Sequence, residues 1–259
     1  MAEAPTLLST RILVVGASSG VGRAFARRAI GHGADVCVVA RRVDKLAMLC
    51  HDAGGGHPLP GDVTDPAACR LLVGGAVERM GGLDLVFYAA GAGSMAAISE
   101  ADTETWRSEY AVNVLGATMV GKAALPLLQP AGVIAFVSSS ATSQTRWGLS
   151  SYAASKAALD ATIRSWRMEH PERRFQRIVL GPTMPTDFGN AFHPDVLSTA
   201  MERWEASGLP MTFMDTEDVG RHLAELMAIF LAHPDIDVPE LVLEARGKPW
   251  RRAADDRPR

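Results

Sequence analysis

The fold is decided by residues 11–22, which read RILVVGASSGVG. The first five residues are an apolar run that is typical of a strand buried on both faces of a sheet. A loop follows with Gly16, Gly20 and Gly22 in the spacing G-x-x-x-G-x-G, and a helical pattern begins at Arg23. Such a turn lets the backbone approach a pyrophosphate, and the helix N-terminus offers free N–H donors. The stretch predicts a nucleotide site, although an ordinary tight turn would use the same glycines.

The alternation of apolar strands and helices continues along the chain. Further strands are predicted over residues 36–40, 57–61, 83–89, 133–137, 177–180 and 241–243. Helices are predicted over residues 43–53, from 66, over 102–128, 152–170 and 217–231. The strand at 57–61 fits least well, because Pro58 and Pro60 are poorly suited to a central strand. The pattern predicts a doubly wound α/β fold, with a parallel sheet covered by helices on both faces.

The chain of 259 residues is predicted to form one domain, 1–259, with a loose tail over 244–259. A hydrophobic content of 47% and a net charge of −3 indicate a globular protein and argue against a nucleic-acid partner. The three cysteines are spaced too widely for a C-x-x-C ligand pair, and no metal site is indicated. No signal peptide or membrane span is recognised, so we expect a cytoplasmic protein with no membrane partner.

A second informative stretch is residues 151–159, which read SYAASKAAL and favour a helix. Tyr152 and Lys156 then lie one turn apart on the same face. A phenol normally titrates near 10, and a nearby ammonium favours the phenolate, which lowers the pKa and prepares the phenol for proton transfer. The Y-x-x-x-K pattern alone is weak, because many helices carry a tyrosine and a lysine at this spacing.

The motifs together resemble the short-chain dehydrogenase/reductase family, in its compact single-domain branch. The matching features are Gly16-x-x-x-Gly20-x-Gly22, Asp62-Val63, Ala90-Gly91, Asn113, Ser139, Tyr152-x-x-x-Lys156 and Pro182 with Thr186. They occur in the family's order and cover about residues 10–245. The resemblance implies a seven-stranded sheet of order 3-2-1-4-5-6-7, with the cofactor at the carboxyl edge of the strands.

The resemblance also implies a role for each catalytic residue. Tyr152 would donate a proton to a carbonyl or accept one from an alcohol, and Lys156 would lower the pKa of Tyr152 and hold the nicotinamide ribose. Ser139 would hydrogen-bond the substrate oxygen, and Asn113 would hold a water in a proton relay to Lys156. The cofactor supplies the hydride in this arrangement, and the protein supplies orientation and a tuned acid.

Some of these assignments have alternatives in the sequence. Ser138 or Ser140 offers the same hydroxyl as Ser139, which is preferred only for its distance from the tyrosine. Asn113 is equally consistent with a buried amide satisfied by backbone groups. Asp62 is expected near the adenine, and its alternative role is to cap the helix that follows.

The resemblance implies a cofactor site that extends along the whole edge of the sheet. Its residues are Gly16, Ser18, Ser19, Gly20, Val21, Gly22, Arg41, Arg42, Asp62, Val63, Ala90, Gly91, Tyr152, Lys156, Pro182 and Thr186.

Cofactor choice is indicated at the end of the second strand. The position where an acid would bind the ribose of NAD is Ala40, followed by Arg41 and Arg42. A guanidinium pairs well with a 2′-phosphate, so NADP(H) is the predicted cofactor. The alternative is a pair of solvated surface arginines.

Three departures from the family pattern affect loop bracing. Val15 stands where a threonine is usual, Tyr88-Ala89 replaces the usual two asparagines, and Gly181-Pro182 replaces the usual Pro-Gly.

The substrate is expected to lie beneath a lid formed by residues 187–216. Phe188, Phe192 and Trp204 belong to this segment, and Trp147 is placed on the opposite wall. This wall predicts a pocket for an apolar ketone or secondary alcohol, although packing within the lid would use some of the same side chains.

The predicted function is that of an NADP(H)-dependent oxidoreductase acting on a small-molecule carbonyl or alcohol. One alternative is a catalytically silent NADP-binding sensor, and another is a family member that isomerises or dehydrates its substrate. The resemblance further implies a homodimer or homotetramer.

Overall fold

The computed structural model describes residues 5–190 and 192–246. The strands are β1 (Arg11–Val15), β2 (Asp35–Ala40), β3 (His57–Pro60), β4 (Leu85–Tyr88), β5 (Val133–Ser139), β6 (Arg174–Leu180), β7 (Thr183–Met184), β8 (Met214–Asp215) and β9 (Glu240–Leu243). The α-helices are α1 (Gly20–Gly31), α2 (Val43–Ala53), α3 (Pro66–Met80), α4 (Thr103–Tyr110), α5 (Ala117–Ala124), α6 (Ser150–Glu169), α7 (Asp187–Asn190), α8 (Pro194–Ala206) and α9 (Thr216–Ala232).

Seven strands form one parallel sheet in the order β3-β2-β1-β4-β5-β6-β9. The predicted fold class and strand order are therefore confirmed, with β9 as the seventh strand of the sheet. The short strands β7 and β8 pair separately and were not predicted, because two residues are too few to give a periodic pattern.

Strand β3 explains why prolines are tolerated in this sheet. It lies at the edge, beside β2, and Pro58 and Pro60 pair with Val38 and Ala40. An edge strand leaves one row of backbone groups unpaired, so a missing N–H is tolerated there. The strand that the sequence indicated least clearly is present over His57–Pro60.

The alternating side chains of each strand serve two separate cores. Leu13 and Val15 of β1 pack with α3, α5 and α6, whereas Ile12 and Val14 pack with α1, α2 and α9. A strand covered on both faces needs apolar residues at every position, which accounts for the unbroken run in the sequence.

The predicted single helix over 102–128 is wrong in its middle. A π-helical segment, Ala111–Gly116, separates α4 from α5. Side-chain hydroxyls satisfy two of its carbonyls, since Tyr88 donates to Val112 O at 2.7 Å and Thr118 donates to Val114 O at 2.7 Å. The Tyr88 bond is a tertiary contact from β4, so a helical pattern alone does not reveal the break.

The segment 187–216, predicted to form a lid, contains α7, α8, the two-residue strand β8 and the first residue of α9. Most of the tail at 244–259 lies outside the described residues.

Within the described part of the chain, no helix combines the length and apolarity needed to cross a membrane. In the same residues, no three His, Cys, Asp or Glu side chains are grouped to hold a metal ion.

Close contact between α1 and α9 gives a stability prediction. A Cβ on Gly220 would lie 2.5 Å from Ala24 Cβ and 2.8 Å from Phe25 N, so backbone would have to move. We expect Gly220→Ala to lower the free energy of unfolding by about 1–3 kcal/mol in urea denaturation.

Gly74 in α3 is the matched control, because a Cβ there meets no heavy atom within 4 Å. Gly74→Ala should raise stability by up to about 1 kcal/mol through helix propensity. Equal effects of the two substitutions would contradict the packing argument.

Candidate active site

The site lies where the parallel strands end. A cavity of about 680 Å³ is lined by residues that follow β1, β2, β4, β5 and β6. In open parallel sheets, ligands bind in this crevice outside the carboxyl ends of the strands.

The glycine loop forms one wall of the cavity. Gly16 has φ +89°, and a Cβ there would lie 2.4 Å from Ala90 N. Gly22 is not on the wall, but a Cβ there would lie 2.4 Å from Gly16 O, so its role is to let α1 approach the loop. Ser19 precedes the first turn of α1 without capping it through its side chain. The loop and the helix start therefore leave hydrogen-bond donors for an anion.

The other residues of the predicted cofactor site reach the same cavity. With Gly22 excepted, its wall includes Gly16, Ser18, Ser19, Gly20, Val21, Arg41, Arg42, Asp62, Val63, Ala90, Gly91, Tyr152, Lys156, Pro182 and Thr186. Asp62 accepts bonds from Thr64 N and Thr64 Oγ1, both at 2.9 Å. The residue that caps α3 is Asp65, so the alternative assignment of Asp62 as the cap is wrong.

Tyr152 and Lys156 meet Ser139 inside the cavity. The two α6 residues lie one turn apart, with Lys156 Nζ 5.9 Å from the centroid of the tyrosine ring. Lys156 is 3% exposed, and its ammonium donates to Val137 O at 2.8 Å. Ser139 lines the same cavity, and its hydroxyl is a hydrogen-bonding neighbour that acts to lower the pKa of Tyr152. The helix and the end of β5 therefore bring together three residues that are distant in sequence.

The hydrogen bonding distinguishes among the three consecutive serines. Ser138 Oγ donates to Asp160 Oδ1 at 2.6 Å, so its hydroxyl is committed to a buried carboxylate. Ser140 is almost fully buried at the start of a 3₁₀ turn. All three serines line the cavity, and Ser139, whose Oγ accepts from Ala141 N at 3.1 Å, is the one whose hydroxyl acts to lower the pKa of Tyr152.

The protonation of the pair differs from the sequence expectation. Burial raises the pKa of Tyr152 to about 12, with the Ser139 hydrogen bond acting in the opposite direction. Burial also lowers the pKa of Lys156 to about 8, while Asp160 acts to raise it. The predicted lowering of the tyrosine pKa by Lys156 is therefore not found, because loss of solvent dominates at both groups. Tyr152 is a protonated phenol at neutral pH.

Asn113 lies behind the cavity wall rather than on it. Its Oδ1 accepts from Ala92 N at 2.9 Å, and its Nδ2 donates to Ala92 O and to Ser155 Oγ, each at 2.8 Å. The side chain is fully buried. This arrangement corresponds to the alternative of a satisfied buried amide, and it fixes the loop after β4 to the π-helical segment and to α6.

Tyr88 supplies bracing where the family pattern has an asparagine. Its hydroxyl donates to Val112 O at 2.7 Å, and Gly116 leaves it room, since a Cβ there would lie 2.7 Å from Tyr88 Oη. The strand remains tied to the segment that carries Asn113, by a phenol instead of an amide.

Arg42 and Asp187 form an ion pair across the mouth of the cavity. Arg42 Nη1 lies 2.7 Å from Asp187 Oδ2, and Lys45 Nζ lies 3.6 Å from the same oxygen. Arg42 Nη2 also donates to Ser18 Oγ at 2.7 Å. The bond from Arg42 holds the pKa of Asp187 below its ordinary value. The predicted phosphate-binding arginine is thus already paired with a carboxylate from the lid.

The lid side of the cavity is aromatic, with one correction. Phe188 lies 4.7 Å from the Tyr152 ring, centroid to centroid, and Phe192 and Trp204 also line the cavity. Trp147 does not reach the wall, because it packs in the cluster around Trp204, whose Nε1 donates to Trp147 O at 3.0 Å. The neighbouring Arg146 takes the wall position instead. The sequence analysis did not name Arg146, although its position between Ser139 and Tyr152 in the chain would have indicated a place near the site.

Burial of Lys156 gives a prediction on stability. Between pH 8 and 10.5, the unfolded chain holds the lysine proton and the folded chain does not, so stability rises with pH in this window. Below pH 8, the folded chain carries the desolvated ammonium of Lys156, which lowers its stability. Lys156→Met should therefore raise the free energy of unfolding at neutral pH by about 1–3 kcal/mol, and the gain should shrink as the pH rises through the window.

The control is Lys122→Met, which changes an exposed lysine on α5. Denaturant unfolding at several pH values measures both variants. A difference between Lys156→Met and the parent that stays constant with pH would contradict the argument.

Comparisons with known proteins agree with this geometry. The sequence model described as short chain dehydrogenase matches residues 10–196. An uncharacterized oxidoreductase of Listeria monocytogenes is 26% identical over 254 residues, covering 95% of this chain and all (100%) of that protein. An uncharacterized oxidoreductase of Mycobacterium tuberculosis is 38% identical over 169 residues, or 63% of this chain and 66% of that protein.

Two solved structures share the fold. A short chain dehydrogenase from Burkholderia cenocepacia in complex with NADP has a TM-score of 0.77 at 24% identity, covering 92% of this chain and 98% of that chain. An alcohol dehydrogenase from Thermococcus sibiricus complexed with 5-hydroxy-NADP has a TM-score of 0.75 at 22% identity, covering 90% and 95%. Because the family match covers well over half of the sequence, this chain belongs to the short chain dehydrogenase family and is an oxidoreductase of that type.

Proposed function

We propose that this chain is an NADP(H)-dependent oxidoreductase that acts on an apolar ketone or secondary alcohol, with Tyr152 as the general acid and base. The observation that carries the proposal is the contact of Ser139, Tyr152 and Lys156 in the cavity that also contains the glycine loop. NADP(H), when bound, supplies or accepts the hydride.

The residues at the cavity fit such a cofactor. Gly16 and Ala17 bond Val39 O through their N–H groups, and the rest of the loop up to Gly20 with the start of α1 offers backbone donors to a pyrophosphate. Lys156 stands close enough to Tyr152 to share a ligand with it. The end of β2 carries Ala40 where an acid would repel a 2′-phosphate, and Arg42 follows. The NADP and 5-hydroxy-NADP in the two similar structures agree with this choice.

The proton chemistry follows from the two shifted groups. Tyr152 keeps its proton at neutral pH, so it can donate that proton to a carbonyl oxygen that Ser139 also binds. Lys156 changes its charge near pH 8, so it can return a proton to the tyrosine side of the site.

A sensor without catalysis is the other class of function. It has no need for a serine bonded to a buried phenol beside a desolvated lysine, and that constellation supports the enzyme. The single domain, the cytoplasmic location and the homodimer or homotetramer stay predictions.

Tyr152→Phe tests the role of the phenol. We expect the variant still to bind NADPH and to lose ketone reduction by roughly 10²–10⁴-fold, because the proton donor is removed. Tyr110→Phe is the control, since Tyr110 does not line the cavity. NADPH oxidation is followed by absorbance and binding by titration. Retained activity in Tyr152→Phe would reject the proposal, and absence of turnover in the parent with a broad panel of ketones and alcohols would favour the sensor.

The ion pair at the cavity mouth gives a prediction on cofactor choice. A 2′-phosphate and the Asp187 carboxylate compete for Arg42, so the two single changes should act in opposite directions. We expect Arg42→Gln to weaken NADPH binding about tenfold and Asp187→Asn to tighten it several-fold, with a smaller change for NADH in the arginine variant.

The control for the acidic change is Asp195→Asn on α8, which removes an exposed carboxylate that pairs only with His193 among the described residues. Kd values for NADPH and NADH are measured by calorimetry. Weaker NADPH binding by Asp187→Asn would contradict the competition.

A further inference from the structure

The side chain of Arg146 is a buried cation on the wall of the catalytic cavity. It is 7% exposed and lines the same cavity as Ser139 and Tyr152. It belongs to the loop between β5 and α6, so its backbone is held close to both catalytic residues. Neither the cofactor site nor the proton chemistry above requires a guanidinium at this place.

The guanidinium is poorly satisfied within the protein. Its single hydrogen bond among the described residues runs from Nη2 to Gln144 Oε1, at a long 3.4 Å. No carboxylate of the described chain lies within the 4.0 Å of an ion pair. Glu244 is the acidic group that acts on it from a distance, and that residue is exposed. A guanidinium has five N–H donors, so most of them have no protein acceptor.

The surroundings make this isolation costly. Arg146 lies 5.3 Å from the centroid of the Trp204 ring, on the lid side of the cavity. Leu149, Leu197 and Met201 line the same cavity. Burial lowers the pKa of Arg146, which reflects the loss of solvent around the charge. The Trp204 ring gives the guanidinium a cation–π contact, but no carboxylate of the described chain pairs with it, and its unpaired N–H groups lie at the cavity.

The other charged residues on the cavity wall each have a partner or a proposed role of their own. Arg42 and Asp187 pair with each other, Lys156 serves Tyr152, and Arg41 and Asp62 follow the ends of β2 and β3. Arg146 is therefore the cation that stands beside the lid tryptophan without a carboxylate. A substrate held between the lid and Tyr152 would meet its N–H donors.

We propose that Arg146 binds a carboxylate of the substrate, so that the enzyme acts on keto acids or hydroxy acids with an apolar body. The inference rests on the proposed function and narrows its substrate class. A guanidinium fork matches a carboxylate with two parallel hydrogen bonds. A phosphate dianion would leave one charge unpaired against the apolar lid. The aromatic lid contacts the apolar body of the substrate. Arg146 holds the carboxylate, so that the carbonyl end of the substrate faces Ser139.

The test uses phenyl keto acids that differ in the number of methylene groups between carbonyl and carboxylate, each paired with its methyl ester. We expect the parent enzyme to prefer the best acid over its ester by on the order of a hundredfold in kcat/KM, the size of a charge-assisted bond in a buried site. In Arg146→Met this ratio should fall towards one, and Arg146→Lys should restore part of it.

The control is Arg203→Met, because Arg203 lies 4.6 Å from the Trp147 ring but is exposed and off the cavity wall. It removes a cation stacked on a lid-side tryptophan and should leave the acid-to-ester ratio unchanged. A parent enzyme without preference for acids would overturn the inference. Equal losses for acid and ester in Arg146→Met would also overturn it, because that result would assign Arg146 a purely structural role in holding the lid.

A binding measurement separates this inference from the proposed function. The acids are titrated against the NADPH-loaded protein by calorimetry, in the parent, in Tyr152→Phe and in Arg146→Met. Acid binding that survives in Tyr152→Phe and is lost in Arg146→Met supports the carboxylate site even when no turnover is seen. Failure of the parent to bind any acid, with NADPH bound normally, would reject the carboxylate site alone.

Discussion

The structure of the site depends on one buried ammonium. Lys156 Nζ is held against the carbonyl of Val137 beneath the cavity, almost without solvent. One turn further along α6, Asp160 supplies the nearby negative charge, and it is itself fixed by Ser138 and by Arg177 at 2.6 Å each. Helix α6 and the end of β5 are therefore joined by charges as well as by apolar contact, which keeps Ser139 and Tyr152 in register.

The burial of Lys156 that fixes the site also determines how its titratable groups hold their protons. Desolvation lowers the pKa of Lys156 to about 8 and raises the pKa of Tyr152 to about 12, so the two pKa values lie far apart. A protonated phenol beside an ammonium that loses its proton near pH 8 is an arrangement suited to proton donation. The sequence indicated the pair and its spacing, but burial determines the direction of each shift, and burial is a property of the folded chain.

Most of the fold could be predicted from the sequence, because apolar runs and glycine turns report local structure directly. The π-helical break could not, since it depends on Asn113 reaching Ala92 and on Tyr88 reaching Val112. The residues that ordered motifs predicted for the cofactor site line one cavity, with the exception of Gly22, and their binding of a cofactor stays a prediction. Substrate contacts were less predictable, because adjacent residues in a loop point to opposite sides: Arg146 faces the cavity, and Trp147 packs into the lid.

The π-helical segment also constrains how the chain can vary in length. Its wide turn holds one more residue than an α-helical turn, and Asn113 lies within it. Six π-helical residues turn through about the same total angle as five α-helical ones, so deleting one residue between Tyr110 and Asn113 would restore a regular helix without rotating α4 relative to α5. Glu109, which accepts two bonds from Ser94 at 2.7 Å, would keep its place, and the change would fall on Asn113 inside the wide turn and on its bonds to Ala92. The length of this segment is therefore constrained by the position that Asn113 must keep, and its Val112 lines the cavity itself.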